Sequence, residues 1–169
     1  MSGDDGLQTV YLYINNRQAT DSPGYKQGVF RYRLPNPIQN VVASDLVSLN
    51  MAWDIGAPPP PMLSICSSAL GSYSVVSYSP DPLSLGTLRA WRVVLPELVN
   101  PSQDTSRFVF YTNKRLEYTP VGQRLLQDID IQLLDYLGRP IDVQYSGNDN
   151  SVPITVNLVV ALKVRGVDI

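Results

Sequence analysis

The chain contains no histidine, and this absence removes more enzyme chemistry than any other feature of its composition. Histidine is the commonest general base and metal ligand, and it completes the Ser-His and Cys-His nucleophile pairs. The single cysteine, Cys66, excludes an internal disulfide and a thiolate zinc site. It lies in the apolar run MLSIC, which predicts a buried and unreactive thiol. Phosphate-binding loops, dinucleotide-binding turns and nucleophile elbows are also missing.

The chain is also poor in charge. Charged residues make up 17% of 169 positions, below the usual quarter or so, and the net charge is −2. Such a balance provides no positive field to attract nucleic acid. No run of about 18 apolar residues occurs, so we predict no membrane-spanning segment. The first residues, MSGDDGLQ, lack the basic and apolar regions of a signal peptide, and we expect a protein made in the cytosol.

What the chain does contain is a period-two alternation of apolar and polar residues, which predicts β-strands. In residues 46–55 one side of the strand carries Val47, Leu49, Met51, Trp53 and Ile55. The same alternation returns over residues 153–165, from Ile154 to Val164. Two such strands, about a hundred positions apart, indicate an all-β scaffold whose distant parts pair.

Shorter strands are predicted at 8–15, 28–34, 62–69, 72–78, 88–96, 107–113, 128–135 and 140–145. Prolines are expected to end the second of these at Pro35 and to form stiff loops at 56–61 and 79–86. Residues 97–106 read as a loop, and the only candidate helical turn lies around VGQRLLQ, 121–127. Strands at this spacing, with almost no helix, predict one all-β domain over residues 1–169, a β-sandwich or jelly roll.

Oxygen ligands are the remaining source of site chemistry. Asp128 and Asp130 share one face of a predicted strand and Asp135 follows, so a paired-acid hydrolase is conceivable. The structural alternative is a solvated strand face followed by a turn, in which Asp135 bonds the backbone and Gly138 takes a positive φ. A calcium loop is conceivable at 147–151, where a polar hairpin loop is the simpler interpretation; its ligands would be Asn148, Asp149 and Asn150.

Aromatic residues suggest two further sites. Arg31 and Arg33 beside Tyr11 and Tyr13 could form a face for single-stranded nucleic acid, although two arginines do not make a basic stripe. Trp53 lies on an unbroken apolar face and is predicted to belong to the core. Trp91 could instead line a groove or an interface, as in a lectin-like sandwich. Neither pattern defines a reactive centre, and we predict no catalytic, cofactor-binding or metal-binding residue and no enzymatic activity.

Four strings in order resemble small capsid proteins of large icosahedral double-stranded DNA viruses. They are INNR, VFRYRLPNPIQNV, DLVSLNMAWDI and LLQDIDIQLLDYLGRPIDV, and they cover about the first 55 and the last 50 residues. The resembling group comprises the single-jelly-roll penton and minor capsid proteins of nucleocytoplasmic large DNA viruses, virophages and Polinton-like viruses. The resemblance assigns architectural roles to Arg17, Phe30, Pro37, Ile38, Asn40, Asp135, Gly138 and Pro140.

The resemblance implies a single jelly roll of about eight antiparallel strands and a structural, non-enzymatic role in the virion. It implies a penton protein that forms homopentamers at the five-fold vertices, contacts the major and minor capsid proteins, and needs no cofactor and no direct contact with nucleic acid. A minor capsid position elsewhere in the shell is the alternative within the family. A carbohydrate-binding sandwich, using Trp91 and the tyrosines, and a carboxylate hydrolase are the alternatives outside it.

Overall fold

The computed structural model describes residues 6–16, 28–52, 61–71, 73–76, 87–99, 108–122, 125–135, 138–141 and 156–166. These ranges contain no α-helix, and hence none long and apolar enough to cross a membrane. Their regular structure is twelve strands: β1 Leu7–Asn15, β2 Val29–Gln39, β3 Val41–Ala52, β4 Leu63–Cys66, β5 Tyr73–Val76, β6 Thr87–Ala90, β7 Arg92–Val94, β8 Glu97–Val99, β9 Phe108–Thr112, β10 Thr119–Pro120, β11 Leu125–Leu134 and β12 Val156–Arg165.

Two antiparallel sheets make up the sandwich. The first sheet has the order β1-β12-β3-β9-β8, with β10 also paired to β3, and the second has the order β2-β11-β4-β7. If the short β5, β6, β8 and β10 are set aside, each sheet has four strands, in the orders β1-β12-β3-β9 and β2-β11-β4-β7, and the chain changes sheet after every strand except between β4 and β7. This is the strand order of a jelly roll. The predicted all-β, jelly-roll sandwich is therefore confirmed.

The core lies between the two sheets and follows the predicted alternation. In β1, Ile14 is fully buried, while Tyr11 and Tyr13 on the other side are exposed. The pattern is cleanest in β11 and β12, whose alternate side chains are completely buried: Ile129, Ile131, Leu133, Val156, Leu158, Val160 and Leu162. The predicted pairing of distant strands is confirmed, because β12 pairs with β3 along its whole length.

The inner face of β3 differs from the prediction at one residue. The register passes from Ser48 opposite Val159 to Leu46 opposite Val160, so Val47 is an extra residue in a β-bulge. A bulge reverses the alternation, and Leu46 rather than Val47 is fully buried. Leu49 and Met51, beyond the bulge, point inward as predicted. The period-two pattern was thus correct on one side of Val47 only.

Three other predictions are wrong in detail. Proline does not end β2, which continues through Pro35 and Pro37 to Gln39. This is possible because β2 is an edge strand and bulges there, with residues 34–37 opposite the single residue Gln127. Residues 97–99 form the edge strand β8 instead of a loop. Residues 125–127 belong to β11, where pairing with β2 overrides any local tendency to form a helical turn.

The predicted strand at 88–96 is divided at Trp91. Residues before it pair with β5, with Ala90 opposite Tyr73, whereas residues after it pair with β4, with Arg92 opposite Ile65. The backbone N–H of Trp91 donates a hydrogen bond to the Ile65 carbonyl oxygen at 2.7 Å, and this bond links the part of the segment paired with β5 to the part paired with β4. The segment therefore changes strand partners within three residues, which places the indole at the junction.

Some of the residues that carry the family resemblance occupy corners of the sandwich, and others lie within β2. Asn40 lies between β2 in one sheet and β3 in the other and has φ of 56°, a left-handed conformation that asparagine tolerates. The predicted turn at 135–140 is confirmed: Asp135 Oδ1 accepts from the Arg139 N–H at 2.9 Å, and Gly138 has φ of 76°. Phe30 is buried and Ile38 packs against the core. Pro37 is exposed on β2, and Pro140 forms a bridge with Leu134.

Several predictions fall outside the described residues. These concern Arg17, Trp53, Ile55, Ile154, the predicted proline loops apart from Pro61, the strand at 142–145 and the calcium loop with Asn148, Asp149 and Asn150.

Candidate functional site

Trp91 is a core residue, whose side chain is enclosed although the segment that carries it borders a groove. Its side chain is fully buried, and its indole N–H donates to the Ser44 hydroxyl oxygen at 2.9 Å. The Ser44 hydroxyl in turn donates to the Leu70 carbonyl oxygen at 2.6 Å. A chain of two hydrogen bonds thus ties Trp91 to β3 and to the turn after β4. The lectin-like alternative loses the residue on which it mainly depended, because a buried indole cannot stack on a sugar.

Beside this chain lies a buried carboxylate that the sequence analysis did not identify. Asp45 in β3 is completely inaccessible to solvent. Its Oδ1 accepts from the Leu46 N–H at 2.7 Å and from Arg92 Nε at 2.5 Å. Its Oδ2 accepts from the Asn113 amide at 3.1 Å and from the Glu117 N–H at 2.5 Å. Four donors around one carboxylate are what a buried charge requires.

The chain path explains why a carboxylate is needed at this point. The segment after β9 follows the edge of β3, with hydrogen bonds from Asn113 N–H to Val47 and from Val121 N–H to Val42. Between these two bonds the chain passes Asp45, whose Oδ2 accepts the backbone N–H of Glu117. The neighbouring segment leaves the edge of β3 at this point. The Asp45 carboxylate thus takes the place of the backbone carbonyl that would accept this hydrogen bond in a regular sheet.

Arg92 is the cation that balances Asp45. Besides Asp45 its guanidinium donates to the Trp91, Ser44 and Glu117 carbonyl oxygens and to the Thr119 hydroxyl, at 2.5–3.3 Å. These five bonds equal the five N–H donors of an arginine. The guanidinium also lies 5.4 Å from the centre of the Trp91 ring. Its hydrogen-bonding capacity is used within the chain, so the arrangement can join segments but offers no free donor to a ligand.

We call Ser44, Asp45, Trp91, Arg92 and Thr119 the polar clamp. It joins β3, the turn after β4, the junction of β6 and β7, and the segment before β11. The sequence did contain a signal for it: Arg92 lies inside the apolar run WRVV of the strand predicted at 88–96, and an arginine buried in such a strand requires an anionic partner. The identity of that partner could not be deduced from the sequence, because Asp45 lies 47 positions away from Arg92.

The predicted acid pair has structural partners. Asp128 and Asp130 lie on the outer face of the second sheet, opposite Arg33 and Arg31. Asp130 accepts from the Ser68 hydroxyl at 2.7 Å and from the N–H groups of Ser68 and Ala69 at 3.0–3.2 Å. Asp128 lies 3.9 Å from Arg33, on a solvated surface. The geometry therefore supports the structural interpretation, a strand face that anchors a turn, and does not support a paired-acid hydrolase.

Hydrogen bonding sets the acidity of Asp130. Burial by itself raises the pKa of this carboxyl, but the bonds from Ser68 and Ala69 outweigh it, so the pKa lies below its usual value of 3.8. A lowered folded-state pKa contributes stability that is present above the unfolded-state pKa. That contribution is lost as the pH falls through the folded-state value.

We therefore expect acid to destabilise the wild type more steeply than Asp130→Asn. The comparison is the urea midpoint of both proteins from neutral pH down to about pH 3, and the two curves should begin to approach each other as the pH falls below about 4. Asp128→Asn is the matched control, since it neutralises a carboxylate of the same strand on the solvated surface beside Arg33. Parallel curves for wild type and Asp130→Asn would show that the turn does not depend on the charge.

Cys66 lies opposite Gln132 at the same surface and is partly buried. Burial first, and the negative charge of Asp130 second, raise the pKa of its thiol. A raised pKa leaves less thiolate at neutral pH, and the thiolate is the reactive form. The predicted unreactive character of Cys66 is thus supported, although its burial is less complete than predicted.

The two halves of the suggested nucleic-acid face lie on different sheets. Tyr11 and Tyr13 are on the outer surface of the first sheet, with 62% and 56% of their area exposed. Arg31 and Arg33 are on the outer surface of the second sheet, where they face Asp130 and Asp128. The structure therefore does not bring these residues together. Near Tyr13, the Asn157 Oδ1 accepts from the tyrosine hydroxyl and from the Asn15 amide, both at 2.6 Å.

Comparisons with known proteins add little to this picture. No protein-family model matches the chain, and no curated protein is significantly similar to it. Among solved structures, it is similar to a chain in the cryo-EM structure of mud crab tombus-like virus, with 9% identity and a TM-score of 0.26. That alignment covers 97% of this chain and 92% of the viral one. A TM-score this low supports no conclusion, so the function is inferred from the geometry of the chain itself.

Proposed function

We propose that this protein is a structural capsid subunit, a single jelly-roll domain over residues 1–169 that forms homopentamers at the five-fold vertices of an icosahedral double-stranded DNA virus. The observation that carries the proposal is the jelly-roll strand order, which is common in viral capsid domains. The positions of Asn40 and of the turn at 135–140 add support, because these residues of the family resemblance form corners of this fold.

The proposed mechanism is shape and burial. The residues of the polar clamp bond to one another, and Asp130 bonds to the turn at Ser68 and Ala69. Such internal hydrogen bonds hold segments of the chain together, as a rigid building block requires. A five-fold ring closes through head-to-tail contacts, so each subunit needs two different contact patches. Exposed apolar side chains supply candidates on different parts of the surface: Leu95 and Phe110 line one groove near β8 and β9, and Leu125 begins β11 in the other sheet.

In the virion, such a ring would be held by the surrounding major and minor capsid proteins after synthesis in the host cytoplasm. Neither catalysis nor a cofactor is part of this role, and neither is direct contact with nucleic acid. Obligate contacts between capsid subunits bury about 2,000 Å² or more. The low content of charged residues in this chain is compatible with surfaces of that kind.

Native mass spectrometry of the purified protein tests the proposal. We expect a mass corresponding to five chains, or to a multiple of five. Phe110→Lys should reduce the pentamer, because it places a charge in the candidate contact, while Phe110→Tyr should retain it. A protein that stays monomeric at high concentration, also with the major capsid protein present, would contradict the vertex position. Binding to the shell without a five-fold ring would favour a minor capsid position instead.

A further inference from the structure

The outer face of the first sheet carries a row of asparagines to which the proposed function assigns no role. Asn15 in β1 lies opposite Asn157 in β12, and Asn157 lies opposite Asn50 in β3. Directly opposite residues of paired strands share one face of the sheet, and neighbouring strands are about 4.8 Å apart. The three carboxamides therefore cross three strands in one row, over about 10 Å.

A pair of tyrosines borders this row on β1. Tyr13 precedes Asn15 by two residues and Tyr11 precedes Tyr13 by two, so all three belong to the same face of the strand. More than half of the surface of each tyrosine is exposed. We call five residues the amide face: Tyr11, Tyr13, Asn15, Asn50 and Asn157. It is aromatic at one end, carries amides along its length and has no charge of its own.

Hydrogen bonds within the amide face fix the orientation of the Asn157 side chain. Its Oδ1 accepts from the Tyr13 hydroxyl and from the Asn15 amide, both at 2.6 Å. Both donors belong to β1, so the NH₂ group of Asn157 is directed the other way, toward β3 and Asn50. Within the part of the chain that the structure describes, this NH₂ group and the Asn50 side chain form no hydrogen bond. Two adjacent carboxamides therefore offer donors and an acceptor to a ligand.

We propose that the amide face binds a neutral oligosaccharide. A sugar hydroxyl both donates and accepts hydrogen bonds, so adjacent hydroxyls can pair with the two polar groups of Asn50 and with the NH₂ group of Asn157. The apolar side of a sugar ring can stack on an exposed aromatic ring, which Tyr11 and Tyr13 provide beside the amides. The bond from its hydroxyl to Asn157 holds the Tyr13 ring in place before a ligand arrives. This site is additional to the proposed capsid role and does not depend on it.

Charge favours a neutral saccharide over an anionic ligand. A phosphate, sulfate or carboxylate group is bound through arginine or lysine, and the amide face contains neither. Beyond Asn50 the row continues with Phe110 and then with Glu97 in β8, whose carboxylate repels an anion. Lys163 lies farther along β12, where its ammonium group donates to the Thr9 hydroxyl at 2.8 Å. Recognition at the amide face therefore depends on hydroxyl groups and ring stacking, which neutral sugars supply.

A glycan array tests this site, with neutral oligosaccharides of glucose, galactose, mannose and N-acetylglucosamine beside sialylated and sulfated ones. We expect at least one neutral oligosaccharide to bind, and to bind weakly, because an open face covers only one side of its ligand. Saturation-transfer NMR with that oligosaccharide then measures the affinity of each variant. Asn50→Ala should weaken binding about fivefold or more through lost hydrogen bonds. Tyr13→Ala should weaken it about tenfold or more, because the ring and the anchor of Asn157 are both lost.

Two matched variants separate the parts of the site. Tyr13→Phe keeps the ring and loses only the bond to Asn157, so its binding should fall less than that of Tyr13→Ala. Leu125→Ala removes an exposed apolar side chain from the other sheet and should bind like the wild type. Thermal unfolding of each variant reports whether the fold is retained.

The outcomes separate this site from the proposed pentamer. Absence of binding to every neutral glycan, or binding to sialylated and sulfated glycans alone, would contradict the amide face as a neutral-sugar site. The same holds if folded Asn50→Ala and Tyr13→Ala proteins bind like the wild type. Native mass spectrometry reports the subunit number independently. A monomer that binds a neutral glycan through these residues would support the site and contradict the pentamer, whereas a pentamer without glycan binding would do the reverse.

Discussion

Asp45→Ala is expected to lower the free energy of unfolding by about 3–5 kcal/mol, a large fraction of the stability of a domain of this size. The substitution leaves the guanidinium of Arg92 without its anion in a position where only 16% of the arginine side chain is exposed. It also removes the acceptor of the Asn113 amide and of the Glu117 N–H. Breaking one member of a buried pair costs more than the pair contributes, because the remaining charge stays desolvated.

Urea denaturation of Asp45→Ala and Asp128→Ala measures the effect against a matched control. Asp128 and Arg33 form an ion pair on the surface, where both side chains are half exposed, and such pairs contribute less than about 1 kcal/mol. If the polar clamp holds these segments together, the free energy of unfolding should fall several times more in Asp45→Ala than in Asp128→Ala. Equal small losses would mean that Asp45 does not organise the segments around it.

Trp91→Ala is expected to cost a similar amount, about 3–5 kcal/mol, for a different reason. The indole is the largest fully buried side chain described, and it lies where the chain changes strand partners. Its removal leaves a cavity, takes the donor away from Ser44 and removes the ring from beside the Arg92 guanidinium. Loss of apolar contacts is the dominant part of the cost.

Trp91→Phe separates packing from hydrogen bonding. It keeps most of the ring volume and loses the indole N–H, so we expect a loss of about 1–2 kcal/mol. Both variants should be compared by thermal and urea unfolding, with binding to a glycan array as a second measurement. A stable Trp91→Ala protein that had lost glycan binding would restore the lectin-like interpretation and contradict the buried position.

The period-two pattern was sufficient to predict which strand faces form the core, but not to predict the bulge in β3 or the prolines within β2. Alternation identified the buried faces of β1, β11 and β12, because strand side chains point to opposite sides whatever the partner is. It failed at Val47, where one extra residue reverses the alternation, and at Pro35 and Pro37, which β2 accommodates as an edge strand. Bulges and edge positions depend on the neighbouring strand, and one segment read by itself contains no information about its neighbour.

The candidate sites show the same difference between local contacts, which the sequence predicts, and distant contacts, which it does not. The turn from Asp135 to Pro140 was predictable because its hydrogen bonds are local, within five residues. The ion pair of Asp45 and Arg92 was not, since its members come from strands in different sheets. For Trp91 the sequence left a groove or an interface as a possible position, because an aromatic residue suits either. Only the packing of the junction shows that the indole is fully buried.

By itself, the sequence determined that this chain is an all-β protein with no histidine and a single cysteine, and that its long strands pair at a distance. Those properties follow from composition and from the two-residue repeat of a strand, which act at every position independently. Tertiary structure alone decided which charges are buried together, where the alternation reverses, and which described strands lie at the edges of the sheets. Each of these depends on contacts between segments that are distant along the chain. Such contacts stabilise the fold only after both segments have been brought together.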